Sequence, residues 1–105
     1  MYIVMWTFEV MEGKNRNDLL IPMKGAAPKF KGVPGLIHKC YGIAGDPRSV
    51  VEIYLWKSKA DADTFYDADW EAETFRRWES PRMTRRDFDS PVVVEAEQGR
   101  VIIEG

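Results

Sequence analysis

Residues 35–57 read GLIHKCYGIAGDPRSVVEIYLWK, and this stretch decides the fold. Two runs rich in β-branched and aromatic residues, 35–44 and 49–57, flank a polar segment, GDPRS. Its Gly, Asp and Pro supply turn chemistry, so the two runs form an antiparallel hairpin. Successive side chains of a strand point to opposite faces. In the second run Val51, Ile53 and Leu55 make an aliphatic set, while Val50, Glu52, Tyr54 and Trp56 make an aromatic set with one acid. The aliphatic set suits packing under helices. The other suits a lined cavity or a dimer face.

The first run holds the only histidine and the only cysteine of the chain. Its two sets are Leu36, His38, Cys40 and Ile37, Lys39, Tyr41, Ile43. His38 and Cys40 therefore share a face, about 6 to 7 Å apart along the strand, too far for a Cys–His nucleophilic pair. Cys40 reads as a small buried hydrophobe. His38 reads either as a half-buried, hydrogen-bonded imidazole or as a general acid/base. On the cavity side it lies near Tyr54 or Trp56, where Glu52 can orient it.

Working outward, residues 2–10, YIVMWTFEV, read as a strand that is apolar on both faces. The spacing of Leu19, Leu20, Met23 and Ala27, extended by Phe30, predicts a helix over 17–31. Asn17 or Asp18 caps it, and Pro22 fits best in its first turn. Residues 58–80 predict a helix in two pieces. Ser58 and Asp61 resemble a capping box, Ala62, Phe65 and Tyr66 share one face, and Trp70, Phe75 and Trp78 continue the stripe. Residues 83–97 read as a fourth strand interrupted by Pro91, followed by a turn at Gln98 and Gly99 and a short fifth strand. The order is β-α-β-β-α-β, the ferredoxin-like α+β arrangement: an antiparallel sheet with helices on one face. The opposite face is too apolar for water and needs cover.

A length of 105 residues fits one domain, residues 1–105, with a thin core. A net charge of −2 argues against nucleic acid as a partner, because phosphate binding needs concentrated positive charge. Arg76, Arg77, Arg82, Arg85 and Arg86 are interleaved with Glu71, Glu73, Glu79, Asp87 and Asp89, which reads as a solvated, ion-paired surface. A single cysteine points to a reducing cytoplasm. The apolar N-terminus is too short to span a membrane and lacks the features of a signal peptide. No metal-binding motif is present.

Over residues 34–70 the PGL that opens the second strand, the IYLW of the third, and the KSKADADTFY and Trp that follow resemble a known family. It is the dimeric α+β-barrel superfamily, in its monooxygenase branch related to antibiotic-biosynthesis monooxygenases. FDSPVVVE at 88–95 fits the end of that pattern. The resemblance implies a homodimer whose sheets pack face to face into a barrel. It also implies oxidation of a small aromatic or polyketide-like substrate with no metal or flavin cofactor, since a deprotonated, electron-rich substrate can itself reduce oxygen. Tyr54, Trp56, Tyr66, Trp70 and Glu52 are the expected substrate-binding residues, and His38 the expected catalytic one. Other members of the superfamily bind haem, and some of these use a histidine on or beside a helix; here the histidine falls on a strand. The plainer reading of Trp6, Trp56, Trp70 and Trp78 is core and dimer interface. A non-catalytic small-molecule binder, or a cyclase or isomerase on the same scaffold, are the alternatives.

Overall fold

A computed structural model describes residues 1–45 and 48–104. The centre of the expected turn, Asp46-Pro47, lies outside the described residues, as does Gly105. The elements run β1 (Tyr2–Glu9), α1 (Arg16–Ala26), a 3-10 turn (Ala27–Phe30), β2 (Leu36–Ile43), β3 (Ser49–Trp56), α2 (Lys59–Phe65), α3 (Ala68–Trp78), β4 (Met83–Asp89), β5 (Val92–Glu95) and β6 (Arg100–Ile103). The main sheet is antiparallel with strand order β2-β3-β1-β4. This is the ferredoxin-like α+β fold expected from the sequence.

Local chemistry places each helix boundary. Asn15, upstream of the residues expected to cap α1, accepts from the Asp18 backbone N–H at 2.9 Å, and Asp18 returns the bond to the Asn15 N–H at 3.0 Å. Pro22 falls inside α1 rather than in its first turn. Ser58 caps α2, and Asp67 caps α3 by accepting from the Trp70 N–H at 2.9 Å. That second cap is what breaks the long helical run in two. Gly35 has φ +79°, and a Cβ there would collide with the Asp61 side chain, so only glycine lets β2 start against α2.

Two expectations about the strands are corrected. The run 83–97 is not one strand. It bends at Ser90-Pro91, and β5 pairs with β6 in a separate two-stranded sheet. More consequentially, the two faces of the hairpin are the reverse of the expectation. Val50, Glu52, Tyr54 and Trp56 are all fully buried beneath the helices, with Val4 and Phe8 of β1 beside them. The aliphatic set Val51, Ile53 and Leu55 is left half-buried on the open face. Large rings gain more by burial than aliphatic groups do, and the polar tips in this set find partners on the helices, as shown below.

A bulge settles the rest. Leu36 pairs with Trp56, but His38 pairs with Leu55, so the register shifts by one residue between them. Leu36 therefore shares the helix face with Lys39 and Tyr41, while His38 and Cys40 turn to the open face, where both are exposed. The expectation of a buried Cys40 is not met. Phe75 is also exposed, and the inward stripe of α3 is Trp70, Thr74 and Trp78.

Candidate functional site

Glu52 has no exposed surface and sits at the centre of a polar network between sheet and helices. Its Oε1 accepts from the Tyr54 hydroxyl at 2.8 Å and is ion-paired with Lys39 Nζ at 2.8 Å. Its Oε2 accepts from the Trp78 indole at 2.8 Å and faces Arg77 Nη1 at 3.8 Å. Two of these partners come from the sheet and two from α3, so the carboxylate ties α3 to β3. Lys39 also donates to the Tyr41 hydroxyl at 3.0 Å and lies 3.1 Å above the Phe30 ring. A buried charge survives only when paired and hydrogen-bonded in this way.

Burial lowers the Lys39 amine from 10.5 to about 8, with Glu52 pulling it part of the way back. Between those values the unfolded chain keeps a proton that the folded chain has released, so stability rises with pH. The phenols act in the opposite sense. Burial pushes Tyr41 up to about 12 and moves Tyr54 and Tyr66 upward as well, so above pH ~10 the unfolded chain ionises first and stability falls. The urea midpoint is therefore expected to climb from pH 8 to a maximum near pH 10, by on the order of 1–3 kcal/mol, and then drop. Lys39→Met should flatten the rising limb. A midpoint that falls steadily from pH 8 would contradict this assignment.

Around this network lies a layer of rings. Trp56 donates through its indole N–H to the Tyr66 hydroxyl at 3.0 Å, and Trp6 packs against Trp70 with ring centres 4.7 Å apart. On the far side Arg85 lies over the Trp6 and Tyr66 rings and bonds Asp63 and Asp87. The expected ion-paired surface thus holds for Arg85, but Arg77 is buried.

Above the layer a cavity of about 450 Å³ opens between residues 29–34, α2 and α3, within the size range of small-molecule sites. Phe30, Phe65, Trp70 and Thr74 give it apolar and aromatic walls. Of its lining residues, Thr74 buries a hydroxyl with no hydrogen-bond partner among the described residues, whereas the Trp70 indole engages the Tyr54 hydroxyl and Arg77 Nη1 faces Glu52. Thr74 is 1% exposed, Trp70 8%, and the Arg77 side chain 9%. Positions 70, 74 and 77 follow the i, i+4, i+7 spacing of one helix face. A buried polar group without a partner is uncommon in folded proteins, and the Thr74 hydroxyl is one.

Of the residues expected from the sequence, Trp70 alone lines this cavity. Glu52, Tyr54, Trp56 and Tyr66 form the packed layer behind it. His38 is on the other side of the sheet from Glu52 and Tyr54, because the bulge reverses its face, so Glu52 cannot orient it. Thr74 and Arg77 were missed. Their helical spacing from Trp70 was visible, but Phe75 drew the stripe by its hydrophobicity and Arg77 was absorbed into the basic run. Among the described residues no group of three or more His, Cys, Asp or Glu is placed to hold a metal ion. No helix among them is long and apolar enough to cross a membrane.

No protein-family model matches the chain, and no curated protein matches it in sequence. Solved structures do match in fold. A monooxygenase of Streptomyces coelicolor, solved in complex with nanaomycin D, superposes with a TM-score of 0.66 at 18% identity, covering 89% of each chain. A cofactor-independent oxygenase of Streptomyces nogalater gives 0.67 at 12% identity, over 90% of this chain and 96% of the other. An antibiotic biosynthesis monooxygenase gives 0.66 at 14% identity, over 86% and 98%. The chain has the fold of these proteins.

Proposed function

We propose that the cavity on α3 binds a small aromatic or polyketide-like molecule and that the protein oxidises it with molecular oxygen. The observation that carries this reading is the cavity itself, about 450 Å³ and walled by the rings of Phe30, Phe65 and Trp70. Such a pocket suits a flat aromatic ligand, and a deprotonated, electron-rich ring can itself reduce oxygen. For an anthrone, the ring CH2 becomes C=O; one oxygen atom of O2 enters the product and the other leaves as water. The solved oxygenases of the same fold favour this reading over mere binding. His38 has no part in it, since the open face of the sheet carries it away from the cavity.

An oxygen electrode tests the proposal. Addition of an anthrone to the protein should draw down oxygen in equal moles with product. Retention of the anthrone unchanged would favour a binding protein, and conversion under nitrogen a cyclase or isomerase.

The same reading includes a homodimer. Ile3, Met5, Ile53 and Leu55 leave the open face of the sheet apolar, and the β5–β6 hairpin exposes Val94 at 67% and Ile103 at 71%. Surfaces of this kind mark an interface. Sedimentation at micromolar concentration should give twice the chain mass, with an interface above about 1,000 Å². A monomer at that concentration would refute the dimer without touching the cavity.

A further inference from the structure

One face of the β5–β6 hairpin is apolar and bare. Directly paired residues of antiparallel strands share a face. Val92 pairs with Ile103 and Val94 with Val101, so these four side chains form a two-by-two array. All four are more than half exposed. Among the described residues β5 and β6 pair only with each other, and a lone two-stranded hairpin is marginally stable in water. The chain is also drawn out, measuring 46 × 30 × 23 Å. Its radius of gyration is 14.6 Å, where a compact chain of this length has about 13 Å. The open face of the main sheet carries a matching array. Ile3 pairs with Leu55 and Met5 with Ile53, again two by two on adjacent antiparallel strands. The dimensions agree: a four-residue arm strand spans about 13 Å, and a four-stranded sheet is about 14 Å wide. Apolar sheet faces of this kind stack about 10 Å apart.

Resting on the homodimer proposed above, we infer that the hairpin is an arm that crosses to the second copy and lays its valine face on that copy's open sheet face. The contact is isologous, each arm covering the other copy's sheet. Two open faces packed directly on each other would leave both arms in water. Arm against arm would leave both sheets bare. Arm on sheet covers the two apolar surfaces in one contact made twice. Four branched side chains expose on the order of 400 Å² per arm. With the sheet area they cover, and the two-fold repeat, the interface reaches roughly 1,600 Å², the size of a stable one.

Two measurements on the full chain test this. Val94→Glu with Val101→Glu places charge on side chains that are exposed in the single chain, so the fold should hold by circular dichroism. In the dimer the same charges would be buried without partners, and sedimentation should show dissociation at about 100-fold lower affinity or worse. Mixed dimers of one isotope-labelled and one unlabelled copy should give intermolecular nuclear Overhauser effects from the methyls of Val94 and Val101 to those of Met5 and Ile53. A dimer that ignores both glutamates would overturn the arm and leave the homodimer standing. So would intermolecular effects confined to arm against arm or sheet against sheet, or none from the arm. A parent protein that sediments as a monomer would remove the homodimer and this inference with it.

Discussion

Glu52→Leu is expected to cost about 3–5 kcal/mol of unfolding free energy, the largest loss of any single change outside the apolar core. The substitution puts an apolar side chain of similar size in its place, so little is lost in packing. The cost arises from what stays behind. Lys39 and Arg77, with side chains 6% and 9% exposed, are left charged and without their carboxylate, and the Tyr54 hydroxyl and Trp78 indole lose their acceptor. In a domain of this size that loss lowers the melting temperature by roughly 15–30 °C. Because the penalty belongs to stranded charge, replacing the charges as a group should remove most of it. Glu52→Leu combined with Lys39→Met and Arg77→Met is expected to recover stability to within about 1–2 kcal/mol of the parent, since an apolar set of similar volume often matches a buried ion cluster. Urea unfolding of the three proteins decides the point. A single Glu52→Leu variant within 1 kcal/mol of the parent would mean that the network is slack and does not fasten α3 to β3.

The second large effect runs in opposite directions for stability and for function. Thr74 buries a hydroxyl that has no partner among the described residues. A buried polar group left unpaired costs about 1–3 kcal/mol. Thr74→Val has nearly the same shape and removes that cost, so it should raise stability, by about 1 kcal/mol. If the cavity holds the oxygen of a ligand, the same change removes a donor from it and weakens binding about tenfold. Thermal melting and ligand titration of the same samples read both effects. A Thr74→Val protein that loses stability would show that its hydroxyl is already satisfied within the folded chain.

Some of this molecule was legible in one dimension. The order of strands and helices follows from patterns a few residues long: β-branched runs, helical spacing of Leu19 and Met23, and Ser58 as a cap. These features depend on neighbours in the chain, and the expected fold was found. The need to cover the second face of the sheet was equally visible, because β1 is apolar on both sides. What failed was everything that depended on facing. Strand parity tells which side chains travel together but not which way they point, and one bulged residue between Leu36 and His38 exchanges the faces for the rest of the strand. Local pattern contains no record of it, because a bulge exists only relative to the partner strand. The aromatic set of β3 was assigned away from the helices for the same reason. Its polar tips looked costly to bury until Trp78 and Arg77, some 25 residues further along the chain, supplied partners for Glu52. The cavity was hidden by a related effect. Its walls, Phe30, Phe65, Trp70 and Thr74, come from separate segments of the chain, and they enclose a space only when the chain has closed on itself.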